Sequence, residues 1–168
     1  MLRLLVLTIP VLLALSVNST AQDLPDLVTK VKSAVAQRDS CWELKRAEDR
    51  KVDDTKRSEQ DWVCRNQVVG VYYFQERSPE AAAKLYREII TSPVQAPGRH
   101  LDSPKFGEES SISTYNEYST SSYIFFRRGN IVVRIDSSPL ERVDGSLILQ
   151  NAITFATVVD QALQNRER

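Results

Sequence analysis

The stretch Tyr123-Ile124-Phe125-Phe126-Arg127-Arg128-Gly129-Asn130-Ile131-Val132-Val133-Arg134-Ile135-Asp136 decides the fold. Gly129-Asn130 suits a tight two-residue turn between two β-branched and aromatic runs. With those two residues as the loop, Ile124 faces Ile135, Phe126 faces Val133 and Arg128 faces Ile131. One face of the hairpin then carries Ile124, Phe126, Ile131, Val133 and Ile135, which is a core face. The other carries Tyr123, Phe125, Arg127, Val132, Arg134 and Asp136, amphipathic and at least partly solvated.

Downstream, Ser138-Pro139-Leu140-Glu141 has the grammar of a helix start, a Ser cap followed by Pro and an acid. Asp144-Gly145-Ser146 offers a second start one turn later. From there Ile148, Ala152, Phe155, Val159 and Ala162 line one helical face, widened by Leu149, Ile153, Ala156 and Leu163. A stripe that broad needs a sheet to lie on. Residues 164–168 are expected to fray.

Upstream, residues 106–118 are expected to hold a strand and residues 92–103 a loop. Ser78-Pro79-Glu80 announces a helix with Ala82, Leu85, Tyr86 and Ile89 buried and Pro93 as its stop. Residues 62–74 read as one strand, rich in Val, Tyr and Phe. Residues 43–61 are highly charged yet nearly neutral, with six basic and seven acidic side chains. Two readings compete there: a solvated helix, or a strand from Trp42 and Leu44, an exposed turn at Asp53-Asp54 and a second strand. The second is preferred, because it brings Trp42 and Trp62 together beside the cysteines. Leu24, Leu27, Val28, Val31 and Val35 form the stripe of a first helix, with Asp23 as cap and Pro25 in the first turn. Asp39-Ser40 ends it. The whole is an α+β domain, a mainly antiparallel sheet with packed helices.

The N-terminus reads as a signal peptide over residues 1–21: Arg3, an apolar run over residues 4–15, then Ser19-Thr20-Ala21. The run is short for a bilayer span, and an uncleaved anchor is the rival reading. The cleavage point holds no Cys for lipidation. Residues 22–168 have the size of one domain. Only Arg3 is lost among charged residues, so the mature chain carries a net charge of −1. That balance argues against nucleic acid, which demands a basic face, and no stable membrane insertion is expected after cleavage. Export also gives meaning to Cys41 and Cys64, the only two cysteines, as one structural disulfide.

No catalytic constellation stands out, and neither cofactor nor metal is implied. His100 lies in a loop without a nucleophile elbow. Glu108 and Glu109 are neighbours on an expected strand, so they are expected to point apart rather than converge. Asp53-Asp54 sits among cations, and no phosphate-cradling glycine loop occurs. The hairpin's second face is the surface singled out for binding: Tyr123, Phe125, Arg127 and Arg134 offer aromatic and guanidinium contacts. A second helical layer covering it, or Phe125 and Arg134 satisfying each other across strands, is the competing structural use.

The residues Gly107-Glu108-Glu109-Ser110, Phe126 to Ile135 and the C-terminal apolar helix, with Ser78-Pro79-Glu80-Ala81-Ala82 after a strand, give a layout that resembles small exported bacterial α/β proteins of the PsbP-like kind. These include lipoproteins and extracellular sensor domains. The resemblance implies an antiparallel sheet with helices and a non-catalytic binding or sensing role, and it carries over no catalytic residue. This chain lacks the lipidated Cys of the lipoproteins and has one cysteine pair where sensor domains have several. Three functions follow as expectations. The first is a secreted or periplasmic binding module for an unknown protein or small ligand. The second is a secreted hydrolase using carboxylates near Glu108, Glu109 or Asp102. The third is an accessory subunit of an envelope complex.

Thiol labelling of the denatured, unreduced protein should find no free cysteine. Reduction should lower the unfolding free energy by about 3 kcal/mol, the loop-closure value for this spacing. Two labelled thiols would refute the pairing.

Overall fold

A computed structural model of the chain describes residues 24–92, 99–114, 121–141 and 144–165. Its elements are α1 (Leu24–Arg38), β1 (Glu43–Val52), β2 (Thr55–Cys64), β3 (Gln67–Gln75), α2 (Pro79–Thr91), β4 (Arg99–Leu101), β5 (Glu109–Thr114), β6 (Ser122–Arg128), β7 (Ile131–Pro139) and α3 (Gly145–Gln164). The strands form one antiparallel sheet in the order β1-β2-β3-β7-β6-β5-β4. The fold class is therefore α+β, as the patterning indicated. The expected signal segment and Asp23 cap, Pro93, residues 115–118 of the expected strand and residues 166–168 lie outside the described residues.

The β6–β7 hairpin has the register read from its sequence, Ile124 opposite Ile135, Phe126 opposite Val133 and Arg128 opposite Ile131. All five residues of its core face are fully buried. α1 and α3 pack on that face, and Leu27, Val31, Phe155 and Val159 join the same cluster. α2 lies on the opposite face, where Ala82 and Tyr86 meet Phe125 and Val132. Its start matches expectation, since Ser78 Oγ accepts a hydrogen bond from Ala81 N–H and Pro79 opens the helix.

The charged segment is a long hairpin turning at Asp53-Asp54, and the strand reading holds. The cysteines are joined, Cα to Cα 5.2 Å, so the disulfide pins the approach to β1 against the end of β2. Trp42 and Trp62 both meet Phe155 edge-to-face, at 5.0 and 5.7 Å between ring centroids. Such contacts add to the burial of three large rings at one point.

Three expectations are corrected. Residues 62–74 belong to two strands, not one, because Arg65 adopts a positive φ of 51° and turns the chain with Asn66. No glycine marks that turn, so the apolar residues on either side read as continuous. Ser138 does not cap a helix: β7 continues through Pro139 opposite Gln67. α3 starts instead at Asp144, whose carboxylate accepts from Ser146 N–H at 2.8 Å. Finally, Arg99–Leu101 is a short edge strand paired with β5 rather than loop.

Asp160 on α3 ties the far end of the sheet together. It accepts from Arg128 Nε at 2.8 Å, from Gly107 N–H at 3.1 Å and from Gln164 Nε2 at 3.0 Å. Gly107 has φ +57°, and a Cβ there would stand 2.2 Å from the Arg127 carbonyl oxygen. Backbone strain and collision combine at this position. Gly107→Ala is expected to destabilise the fold by about 2 kcal/mol or more, read from the shift in chemical denaturation midpoint. A loss within about 0.5 kcal/mol would contradict this.

Candidate functional site

Residues directly opposite one another in the ladders share a face, so the sheet's second face resolves into rows crossing the strands. One row runs Arg46, Asp61, Gly70, Asp136, Tyr123, Ser113. The next runs Glu48, Glu59, Tyr72, Arg134, Phe125, Ser111. α2 packs over Phe125, Val132 and part of Phe74. Among the described residues no helix covers the first two rows on β1, β2, β3 and β7. That open half-face is the candidate site.

Arg134 stands at its centre. Its Nε donates to Asp136 Oδ1 at 2.7 Å and its Nη2 to Asp136 Oδ2, a planar two-point pair. The guanidinium lies 5.3 Å from the Tyr72 ring centroid, 5.8 Å from Tyr123 and 5.9 Å from Phe125. Three aromatic rings therefore surround one cation. Tyr72 folds back over Gly70, where an added Cβ would come within 2.8 Å of both its ring edge and its hydroxyl. Gly70 thus makes room for the ring, at a central-strand position where glycine otherwise weakens a sheet.

The electrostatics follow from partial burial. Burial raises the Asp136 carboxyl above the ordinary aspartate range, and the Arg134 hydrogen bonds and charge oppose this without cancelling it. The Tyr72 phenol is also raised, first by burial and then by the nearby Asp136 and Asp61 charges. On the outer side Arg46 reaches Glu59 and Asp61, both at 3.7 Å. The surface is rich in charge, and its cations and carboxylates lie side by side.

Of the four residues singled out in sequence, Tyr123, Phe125 and Arg134 come together here, with Phe125 buried at their edge. Arg127 does not join them. It is buried, and its guanidinium is ion-paired with Glu108 and Glu109 and donates to the Gly129 carbonyl. This corrects the expectation that Glu108 and Glu109 point apart: Glu108 precedes β5, so strand alternation does not govern it, and both carboxylates converge on Arg127. His100 is exposed on β4 opposite Ser113, and Asp102 is exposed as well. Among the described residues no three His, Cys, Asp or Glu side chains gather as a metal site. Tyr72 escaped the sequence reading because it lies on β3, and nothing local announces that β3 pairs with β7.

No protein-family model matches the chain, and no curated relative matches either. Two solved structures resemble it in shape. The extracellular domain of PknH from Mycobacterium tuberculosis has a TM-score of 0.49 at 8% identity, covering 82% of this chain and 91% of that one. An uncharacterized protein from Mycobacterium smegmatis, an Rv0999 ortholog, has a TM-score of 0.45 at 8% identity, covering 77% and 96%. At these values neither likeness carries an argument about function. The PsbP-like topology implied by the sequence resemblance is not confirmed by them.

The Asp136 shift has a definite sign. A carboxyl whose folded pKa lies above its unfolded value stabilises the fold while protonated and gives that up as pH rises through the raised value. The stability of the protein minus that of Asp136→Asn should therefore fall as pH rises from below about 3.9, the ordinary aspartate value, and then level off. A difference that grows with pH in that range would show the Arg134 pairing to dominate over burial.

Proposed function

We propose that this chain is an exported, non-enzymatic binding module, working in the periplasm or medium, whose ligand contacts the open half-face around Tyr72, Tyr123, Arg134 and Asp136. The observation that carries the reading is the Arg134–Asp136 pair ringed by aromatic side chains on a sheet face that α2 leaves half covered. Side chains held rigid by one another lose little freedom when a ligand arrives, which favours recognition. Aromatic and Arg anchors are also the residue types that concentrate binding energy.

A disulfide, a leader-like N-terminus and a near-neutral charge fit this role. No described helix is long and apolar enough to cross a membrane. The hydrolase alternative rests on carboxylates near Glu108, Glu109 or Asp102; Glu108 and Glu109 are both engaged by Arg127, and Asp102 stands exposed. The envelope-subunit version of the same reading differs only in making the ligand an obligate protein partner.

The test is affinity capture from the native envelope and medium with the processed protein and with the double variant Tyr72→Ser, Arg134→Ser. A ligand or partner retained by the first and lost by the second, with both proteins giving the same far-ultraviolet spectrum, supports the proposal. Retention that ignores the double substitution, or nothing retained above background, overturns it.

A further inference from the structure

A cleft of about 290 Å³ opens beside the first turn of α1. Leu24 and Pro25 line it from the helix, and Asp49, Lys51 and Lys56 from the β1–β2 hairpin. Asp49 lies opposite Ser58, and Ser58 opposite Tyr73; both partners are buried. Strand alternation therefore puts Asp49, Lys51 and Lys56 on the α1 side of the sheet. Arg50 and Arg57 also border the cleft, but their guanidinium groups serve the other face, on Glu48 and over the Phe74 ring.

Charge is unbalanced at this cleft. Lys51 stands directly opposite Lys56, a like-charge pair that is destabilising unless an anion lies close. Asp49 is the one carboxylate among the described lining residues, and it is exposed. Among the described residues no cation forms an ion pair or hydrogen bond with it.

The chain end that meets this cleft carries the complementary charges. Leu24 is bonded to Asp23, and cleavage of the leader read in residues 1–21 makes Gln22 the first residue. Two residues reach at most about 7 Å from Leu24, so the new α-ammonium stays beside the cleft. Asp23 brings a carboxylate to the two lysines and to the positive end of α1. Gln22 brings an ammonium to Asp49. Before cleavage the same nitrogen is a neutral amide joined to Ala21. Asp26, the other carboxylate of the first turn of α1, does not line the cleft. A wet notch is the competing use, and it gives no reason for the lining charges to complement the chain end that meets them.

We infer that leader removal completes this site: residues 22–23 dock in the cleft, the Gln22 α-ammonium on Asp49 and the Asp23 carboxylate toward Lys51 and Lys56. The pairing clips the hairpin to α1. On its other side the hairpin carries Arg46, Glu48, Glu59 and Asp61 of the open half-face, so the ligand surface is braced in the exported protein and not in its precursor. The inference rests on the reading of residues 1–21 as a cleaved leader.

The intact mass of the exported protein is measured first. A chain starting at Gln22 is expected; any other start overturns the leader reading and this inference with it. A chain that has already lost ammonia at Gln22, by ring closure of the α-amine onto its side-chain amide, has no ammonium to dock and overturns the inference alone. On the protein starting at Gln22, the rate of α-amine acylation is then followed against pH, read at the N-terminal peptide by mass spectrometry. An ammonium held by a carboxylate titrates above about 8, the upper end of its ordinary range, and leaves less free amine to react. At neutral pH Asp49→Asn should therefore speed acylation about two- to fivefold, the factor an exposed ion pair is worth. Unfolding in urea should give the original protein the same gain and the variant none. Asp54→Asn, which removes a carboxylate from the turn of the same hairpin, should change the rate by less than about 1.5-fold. A rate that Asp49→Asn leaves unchanged, or that Asp54→Asn raises equally, overturns the docking while leaving the binding-module reading in place.

Discussion

The antiparallel ladder between β3 and β7, from Gln67 opposite Pro139 to Gln75 opposite Ile131, joins two separate strand groups into one sheet. β1, β2 and β3 follow one another by tight turns, and so do β6 and β7. Each group alone has an apolar face too narrow to bury. Pairing β3 with β7 makes Val69, Val71 and Tyr73 continuous with Ile131, Val133 and Ile135, wide enough to seat α1 and α3. The same ladder brings Tyr72 beside Arg134 and Gly70 beside Asp136. Core and candidate site are two faces of a single long-range contact.

The faces differ because the helices divide unevenly. α1 and α3 pack on the core side, where Phe155 makes edge-to-face contacts with Trp42 and Trp62. Among the described residues α2 is the helix on the second face, packed against Phe125 and Val132 with Phe74 at its margin. On that side polar and aromatic residues remain half-buried: wet enough to keep charge, and dry enough for burial to lift the Asp136 carboxyl. The core side also tolerates polarity. Gln60 is fully buried there and accepts a hydrogen bond from Tyr73 at 3.2 Å.

Local patterns read well wherever spacing and turn chemistry agreed. The β6–β7 register followed from Gly129-Asn130 and the alternation around it, and the α2 cap from Ser78-Pro79. Reading failed where a turn used unremarkable residues, as at Arg65-Asn66, or where Ser138-Pro139 mimicked a cap inside a strand. It failed too where alternation was extended past a strand's end, at Glu108. In each case a short-range rule was applied where a tertiary contact set the conformation. For Pro139 that contact is the pairing with Gln67, reinforced next door by the Leu140 N–H hydrogen bond to the Asn66 carbonyl.

The sequence by itself determined the class of fold, the hairpin with its two faces, the helix stripes and the pairing of two cysteines. All of these depend on residues near in the chain or on simple counting. Only the tertiary structure decided which hairpin face stays open, that Arg127 leaves it to bind Glu108 and Glu109, and that Tyr72 joins it. Those outcomes depend on strand order and on where α2 comes to rest. The physical reason is that periodicity says which side of a strand seeks cover, but what provides the cover is chosen by contacts between distant segments.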